Sequence, residues 1–220
     1  VGGMAPENPY YFYLPRICNH CTHPACLEAC PRKAIYKRTE DGIVLLDQER
    51  CRGYRYCVQA CPYKKIYLNA VAQKSQKCIF CYPRLEANRV NACAAQCPGR
   101  IRFVGLLDDP ASPVHKLVNV YKVALGLLPQ AGTHPNVYYV PPILPPKAGN
   151  PDASVLEDPR YPLDHLEFLF GPKVKTVIGF LEGELRAAQA GRKSEVLQLL
   201  IGRDDAVRYR LKPDVIQKAA

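Results

Sequence analysis

All eleven cysteines of this 220-residue chain lie between Cys18 and Cys97, and the 123 residues after Cys97 contain none. They fall into three runs: Cys18-x2-Cys21-x4-Cys26-x3-Cys30-Pro31, Cys51-x5-Cys57-x3-Cys61-Pro62, and Cys78-x2-Cys81-x11-Cys93-x3-Cys97-Pro98. A thiol pattern that closes three times with Cys-x3-Cys-Pro constrains the fold more than hydropathy does, because each loop must hold its sulfurs around a common centre. An odd count with tight Cys-x2-Cys pairs makes a poor disulfide framework. Structural zinc suits Cys-x2-Cys pairs, and His20 and His23 stand beside the first run, but zinc does not call for three recurrences of Cys-x3-Cys-Pro. The two histidines read as neighbours of ligands or surface groups.

Iron–sulfur chemistry accounts for the recurrence. Two-cluster ferredoxins use Cys-x2-Cys-x2-Cys-x3-Cys-Pro, in which three close cysteines hold one cluster and the fourth reaches the other. The proline ends the helical turn between the last two ligands and redirects the chain. Applied to the first two runs, this crossover predicts one [4Fe–4S] cluster on Cys18, Cys21, Cys26 and Cys61, and a second cluster on Cys30, Cys51 and Cys57. In the second run the place of a corner ligand is taken by Tyr54. A cuboidal cluster without its fourth thiolate can lose that iron, so the expectation is a [3Fe–4S] cluster with Tyr54 packed over the vacant corner; a [4Fe–4S] cluster completed by water or another side chain is the alternative. Cys78, Cys81, Cys93 and Cys97 either close on one cluster or follow the crossover, with three of them awaiting an outside ligand and Cys97 completing a further cluster.

Charge follows the cysteines. Residues 1–105 hold sixteen lysines and arginines against seven acids, while the remainder is nearly neutral. Arg52, Arg55, Lys64 and Lys65 interleaved with tyrosines would suit a zinc-stapled nucleic-acid-binding module. Anionic clusters also demand basic side chains nearby, and that internal compensation is the reading preferred, with no nucleic-acid partner.

Beyond Cys97 the pattern predicts a strand over 100–107 and a helix over 116–128. Nine prolines between Pro129 and Pro162 exclude regular structure and predict an extended arm. Val137, Tyr138, Tyr139, Val140 and Ile143 are more apolar than a solvated linker needs, so the arm is expected along a partner surface. Helices follow over Leu163–Phe170, Pro172–Ala190 and Ser194–Ile201, with Ser194 as N-cap and Gly191 and Gly202 past the ends. The chain offers no nucleophile–base pair and no phosphate loop, so no catalytic residue is expected. The apolar stretch around Leu117–Leu128 is too short to cross a bilayer, and the opening Val-Gly-Gly-Met lacks a signal-peptide pattern.

The stretches Cys18-Asn-His-Cys21-Thr-His-Pro-Ala-Cys26, Cys51-Arg-Gly-Tyr54-Arg-Tyr-Cys57-Val-Gln-Ala-Cys61-Pro-Tyr-Lys-Lys65 and Lys77-Cys-Ile-Phe-Cys81-Tyr-Pro-Arg-Leu-Glu86 resemble the iron–sulfur β subunits of molybdenum enzymes in the dimethyl sulfoxide reductase family. Within it they are similar to the branch acting on nitrate, selenate, chlorate, perchlorate, dimethyl sulfide and ethylbenzene. The segments His115-Lys-Leu-Val and Pro135-Asn-Val-Tyr-Tyr-Val-Pro-Pro142 extend the resemblance. Tyr54 is similar to the aromatic residue that marks the [3Fe–4S] site of that branch; formate dehydrogenase subunits have cysteine there, so Tyr54 argues against a formate dehydrogenase or hydrogenase partner. Such subunits carry four clusters on fifteen cysteines, which implies that this chain is the C-terminal portion of a longer subunit. An absent first run would then complete the cluster of Cys78, Cys81 and Cys93 and take Cys97 into another.

The expected architecture is α+β: a ferredoxin-like iron–sulfur domain over residues 1–107, a helix and Pro-rich arm over 108–162, and a C-terminal helical segment over 163–220. It would hold one [3Fe–4S] and two to three [4Fe–4S] clusters. The resemblance implies single-electron relay between a molybdenum–pterin α subunit and a haem b or quinone-linked membrane partner, with no span of its own. It also implies a periplasmic location, the cytoplasmic face of the inner membrane being the alternative.

Overall fold

The computed structural model describes residues 2–3, 9–147, 149–150, 152–203 and 208–211. Strand β1 (Gly2–Gly3) pairs antiparallel with β2 (Tyr10–Tyr11). The first cysteine run then folds as a loop, a one-turn helix α1 (Ala25–Glu28), a turn at Cys30-Pro31, and a hairpin of β3 (Ile35–Lys37) and β4 (Val44–Leu46). The second run repeats the order with helix α2 (Tyr56–Ala60) and the hairpin β5 (Ile66–Asn69) and β6 (Lys74–Lys77).

Each hairpin has a local cause. Asp41 accepts from Ile43 N–H and Gly42 sits at φ +71°, which closes the first turn; Asn69 accepts from the N–H groups of Val71 and Ala72 and closes the second. Alternation along the strands does the rest: Ile35, Val44 and Ile66 are buried, while Tyr36 and Tyr67 face outward. The third run supplies α3 (Tyr82–Glu86) and α4 (Ala92–Ala95) but no third hairpin. Only Val104–Gly105, strand β7, is extended where a strand over 100–107 was expected. It pairs in parallel with Tyr209–Arg210, a distant segment no local pattern announces.

The helix expected over 116–128 is also corrected. Helix α5 (Pro113–His115), capped by Ser112 Oγ on Val114 N–H, runs into a π-helical turn over Lys116–Val120. There the backbone closes, with Val123 and Ala124 N–H both donating to Leu117 carbonyl and Lys122 at φ +56°. Strand β8 (Leu125–Gly126) then pairs with β9 (Tyr138–Tyr139). Apolar periodicity was misleading because Val123 and Leu127 reach the core from an extended chain.

The prolines do exclude regular structure from most of the arm, which contains one 3-10 turn at Pro129–Ala131 besides β9. Its apolar side chains pack in part against this chain itself. Tyr139, Ile143 and Leu144 pack on this chain's own core, and Tyr138 and Val140 on a second cluster beside it.

Helices α6 (Leu163–Phe170), α7 (Lys173–Gln189) and α8 (Glu195–Ile201) lie where their sequence signals put them. In α7, Val174, Val177, Ile178 and Leu181 fall on one face and are buried. Ser194 Oγ caps α8 by accepting from Leu197 N–H at 3.3 Å. β10 (Tyr209–Arg210) closes the described chain. The main core joins Cys21, Ile35, Val44, Cys57, Cys61 and Ile66 to Leu127, Tyr161, Leu166, Phe170, Val174 and Ile178. The cysteine-free half is thus the platform on which the cysteine loops rest. No helix among the described residues is long and apolar enough to cross a membrane.

Candidate cluster-binding site

All eleven cysteines are free thiols. Their loops share two backbone devices. Two positions after the opening cysteine of each run, His20, Gly53 and Phe80 have φ of +43°, +68° and +55°. Three positions after each closing cysteine, Lys33, Lys64 and Arg100 sit at +48°, +53° and +50°, each donating its N–H to the carbonyl of Cys30, Cys61 or Cys97. Left-handed non-glycine residues cost roughly 1–2 kcal/mol each, and such turns aim successive N–H groups into the concavity where an anion would sit. The basic residue after every Cys-Pro is a repeat signal that the cysteine spacing alone did not expose.

The first predicted set converges. Cys18, Cys21 and Cys61 are buried and Cys26 is half-buried. Burial, then the charges of Cys18 and Cys61, push the Cys26 thiol up to about 12, with Lys77 pulling the other way. Cys21 is raised by burial and by Cys18 and Cys61, opposed by a hydrogen bond with Thr133. Helices α1 and α2 bring this about: α1 carries Cys26, and Cys61 ends α2 one turn after Cys57.

The second set also converges. Burial and the charges of Cys30 and Cys51 raise the Cys57 thiol, while Ser75 lowers it. Cys30, Cys51 and Cys57 line one pocket together with Gly53, Tyr54, Tyr56 and Ser75. Two of the sulfurs accept a backbone hydrogen bond, Cys30 from Ala34 N–H at 3.3 Å and Cys51 from Ser75 N–H at 3.4 Å, and the Cys57 thiol donates to Ser75 Oγ at 3.6 Å. Tyr54 forms part of this wall but stands at the rim, 57% exposed, its ring edge-on to Tyr56.

The third run is the most exposed of the three. Cys78 accepts from Phe80 N–H at 3.3 Å, and its thiol is raised first by desolvation and further by Cys18 and Cys81, against Lys77. Asn91 Nδ2 donates to Phe80 carbonyl and ties the start of α4, which carries Cys93, to the Cys78–Cys81 loop. Tyr209 donates to Ala94 carbonyl from the other side. Cys78 and Cys93 are exposed residues, unlike the first set.

Sequence reasoning missed the segment that closes over the first loop. Thr22 and His23 N–H donate to His134 and Thr133 carbonyls, Asn136 N–H to Asn19 carbonyl, and Asn136 Nδ2 to His20 carbonyl at 2.8 Å. Tyr63 donates to Leu127 carbonyl and meets Thr133 Oγ1 at 2.7 Å. A run of polar residues inside the Pro-rich arm was the available signal. His23 is exposed, whereas His20 is buried, its Nδ1 accepting from Val44 N–H at 3.1 Å. Burial and then Lys77 hold His20 down at about 3, so it is neutral with Nε2 protonated.

Do these residues fit an iron–sulfur group? Asn19, 2% exposed, has neither side-chain polar atom hydrogen-bonded, and His20 Nε2 lacks a partner as well. Orphaned buried donors are costly, and Asn19 Nδ2 and His20 Nε2 are two such donors in the stretch between Cys18 and Cys21, where a bound anionic group would accept from them. Sulfurs about a single zinc ion stand only ~4 Å apart. Among the described residues no three His, Cys, Asp or Glu side chains converge on one ion in that way.

The comparisons agree. Residues 9–107 match the 4Fe-4S dicluster domain model. The chain is 59% identical over 195 residues to dimethylsulfide dehydrogenase subunit beta of Rhodovulum sulfidophilum, covering 89% of this chain and 60% of that protein. It is 56% identical to respiratory nitrate reductase subunit beta of Haloferax mediterranei, over 93% of this chain and 60% of that one, and 53% identical to selenate reductase subunit beta of Thauera selenatis, over 94% and 63%. The chain therefore spans about three fifths of the length of these relatives. A zinc-stapled nucleic-acid module is not favoured by any of them. With an iron–sulfur domain of ferredoxin-like, mixed helix-and-strand type at residues 9–107, the chain belongs to the β-subunit family that these dehydrogenases and reductases share.

Proposed function

We propose that this chain carries single electrons, through iron–sulfur clusters, between a molybdenum–pterin catalytic α subunit and a haem b or quinone-linked membrane partner. The observation that carries the reading is the crossover of thiols: Cys26 is grouped with Cys18 and Cys61, and Cys57 with Cys30 and Cys51, across two loops far apart in sequence. Cys18, Cys21, Cys26 and Cys61 hold a [4Fe–4S] cluster, and Cys30, Cys51 and Cys57 a [3Fe–4S] cluster with Tyr54 at the open corner. Cys78, Cys81 and Cys93 hold a further [4Fe–4S] cluster with a cysteine beyond the eleven present, and Cys97 serves another. Bound clusters supply one-electron carriers at potentials set by ligands, charge and hydrogen bonds to sulfur.

The chain's own residues position and tune. Ser75, Ala34 and Phe80 put hydrogen bonds on ligand sulfurs. Segment 133–136 covers the first loop and keeps water from it. Names of relatives acting on dimethyl sulfide, nitrate and selenate support the molybdenum partner; a periplasmic address is proposed from the sequence resemblance alone, against the cytoplasmic face of the inner membrane, and fractionation of the native host tests it. Low-temperature EPR of the air-oxidised protein, with spins counted against iron, tests the clusters. A near-isotropic three-iron signal of about one spin per chain is expected. An EPR-silent, iron-containing sample would refute the Tyr54 assignment, and a sample without iron the whole reading.

A further inference from the structure

Lys77 ends strand β6 immediately before Cys78 and is only 8% exposed. Its ammonium donates to two backbone carbonyls, those of Val44 and, at 2.9 Å, Cys78. Among the described residues no carboxylate stands within ion-pair distance of it, although a buried cation is costly without a countercharge. Its surroundings join two cysteine loops. Val44, whose carbonyl takes the lysine, donates its N–H to His20 in the Cys18–Cys21 loop. The His20 ring lies edge-on to Phe80 of the Cys78–Cys81 loop, centroids 5.1 Å apart. At the Cys51–Cys57 loop it is Ser75 of the same strand that meets the sulfurs, its N–H on Cys51 and its Oγ 3.6 Å from Cys57.

We infer that Lys77 is a positioning charge shared by two clusters, the one on Cys18, Cys21, Cys26 and Cys61 and the one on Cys78, Cys81 and Cys93, whose combined anionic charge is its counterion. This deepens the electron-transfer reading and rests on it. Reduction adds one negative charge to a cluster, so a fixed cation beside both favours the reduced form of each and raises both potentials together. Passage of an electron from one to the other oxidises the first and reduces the second, and the lysine, near both, keeps their potentials matched.

The test is a potentiometric EPR titration of the full-length holoprotein with Lys77→Gln, Lys77→Met and Lys77→Arg, iron content measured first. Wild-type iron and spin counts report on the clusters independently of the lysine, so a failure there is a failure of the electron-transfer reading and not of this inference. In the two neutral variants both [4Fe–4S] couples should move to lower potential. The expected change is on the order of tenfold in the oxidised-to-reduced ratio at fixed potential, about 59 mV for one electron. The three-iron couple should stay in place, and Lys77→Arg should restore both. Unchanged potentials, or a shift of one cluster only, would overturn the sharing. Loss of iron from both neutral variants with Lys77→Arg intact would assign the lysine a folding role and would equally overturn it.

Discussion

Replacing Ser75 with alanine removes one hydroxyl from a residue that is 1% exposed and leaves its backbone in place. That hydroxyl lies 3.6 Å from Cys57 Sγ, while the Ser75 N–H serves Cys51 at 3.4 Å and is untouched by the change. Once Cys57 is a thiolate ligand, the hydroxyl is the donor. A hydrogen bond to a charged acceptor contributes ~1.5–3 kcal/mol. At this length the low end applies, and only the part that strengthens on reduction moves the potential, about 1 kcal/mol. Since ~1.4 kcal/mol corresponds to ~59 mV for one electron, Ser75→Ala should lower the potential of the [3Fe–4S] couple by about 40 mV. The assay is a redox titration monitored by the three-iron EPR signal, with iron per chain as the check on assembly. The clusters on the other loops should titrate as in the wild type. An unchanged three-iron potential at full iron content would refute the assignment of that hydroxyl to the sulfur, and an equal shift of every cluster would show the effect to be general rather than local.

Three further outcomes are expected. Tyr54→Cys supplies the missing thiolate at the pocket rim, so the three-iron signal should vanish from the oxidised protein while iron rises by about one atom per chain. Gly53→Ala should lose iron at the Cys51 loop, because Gly53 sits at φ +68° and an added Cβ would meet Gln73 carbonyl at 2.3 Å; iron assay and EPR amplitude read this loss, and the first cluster should persist. Leu181→Ala, at a fully buried site on α7, should cost about 2–5 kcal/mol in urea or thermal unfolding, with cluster potentials unmoved in the folded fraction.

How much of this was legible in the sequence follows from the range of the interactions involved. Cysteine spacing is local chemistry, and a loop of two to four residues between cysteines leaves few geometries, so the crossover rule anticipates that Cys18, Cys21 and Cys61 lie near Cys26. The same holds for helices α6, α7 and α8, whose caps and apolar stripes lie within their own segments. What was misread depends on partners far away in the chain. Val123 and Leu127 look helical because they are apolar at helical spacing, but a single closure onto Leu117 carbonyl and a strand pairing with Tyr138–Tyr139 bury them from an extended chain. The arm's tyrosines look like a partner surface for the same reason, since the core they pack on is assembled from α6, α7 and the cluster loops. The arm therefore has a function that its prolines conceal. Proline suppresses competing regular structure in it, and polar residues 133–136 are thereby free to hydrogen-bond the backbone of the Cys18–Cys21 loop. A ligand loop with His20 in a left-handed conformation and with orphaned Asn19 and His20 donors is not self-supporting. The cysteine-free half holds that loop in the shape its sulfurs need, which is why the eighty residues from Cys18 to Cys97 rest on a second half that carries no cysteine at all.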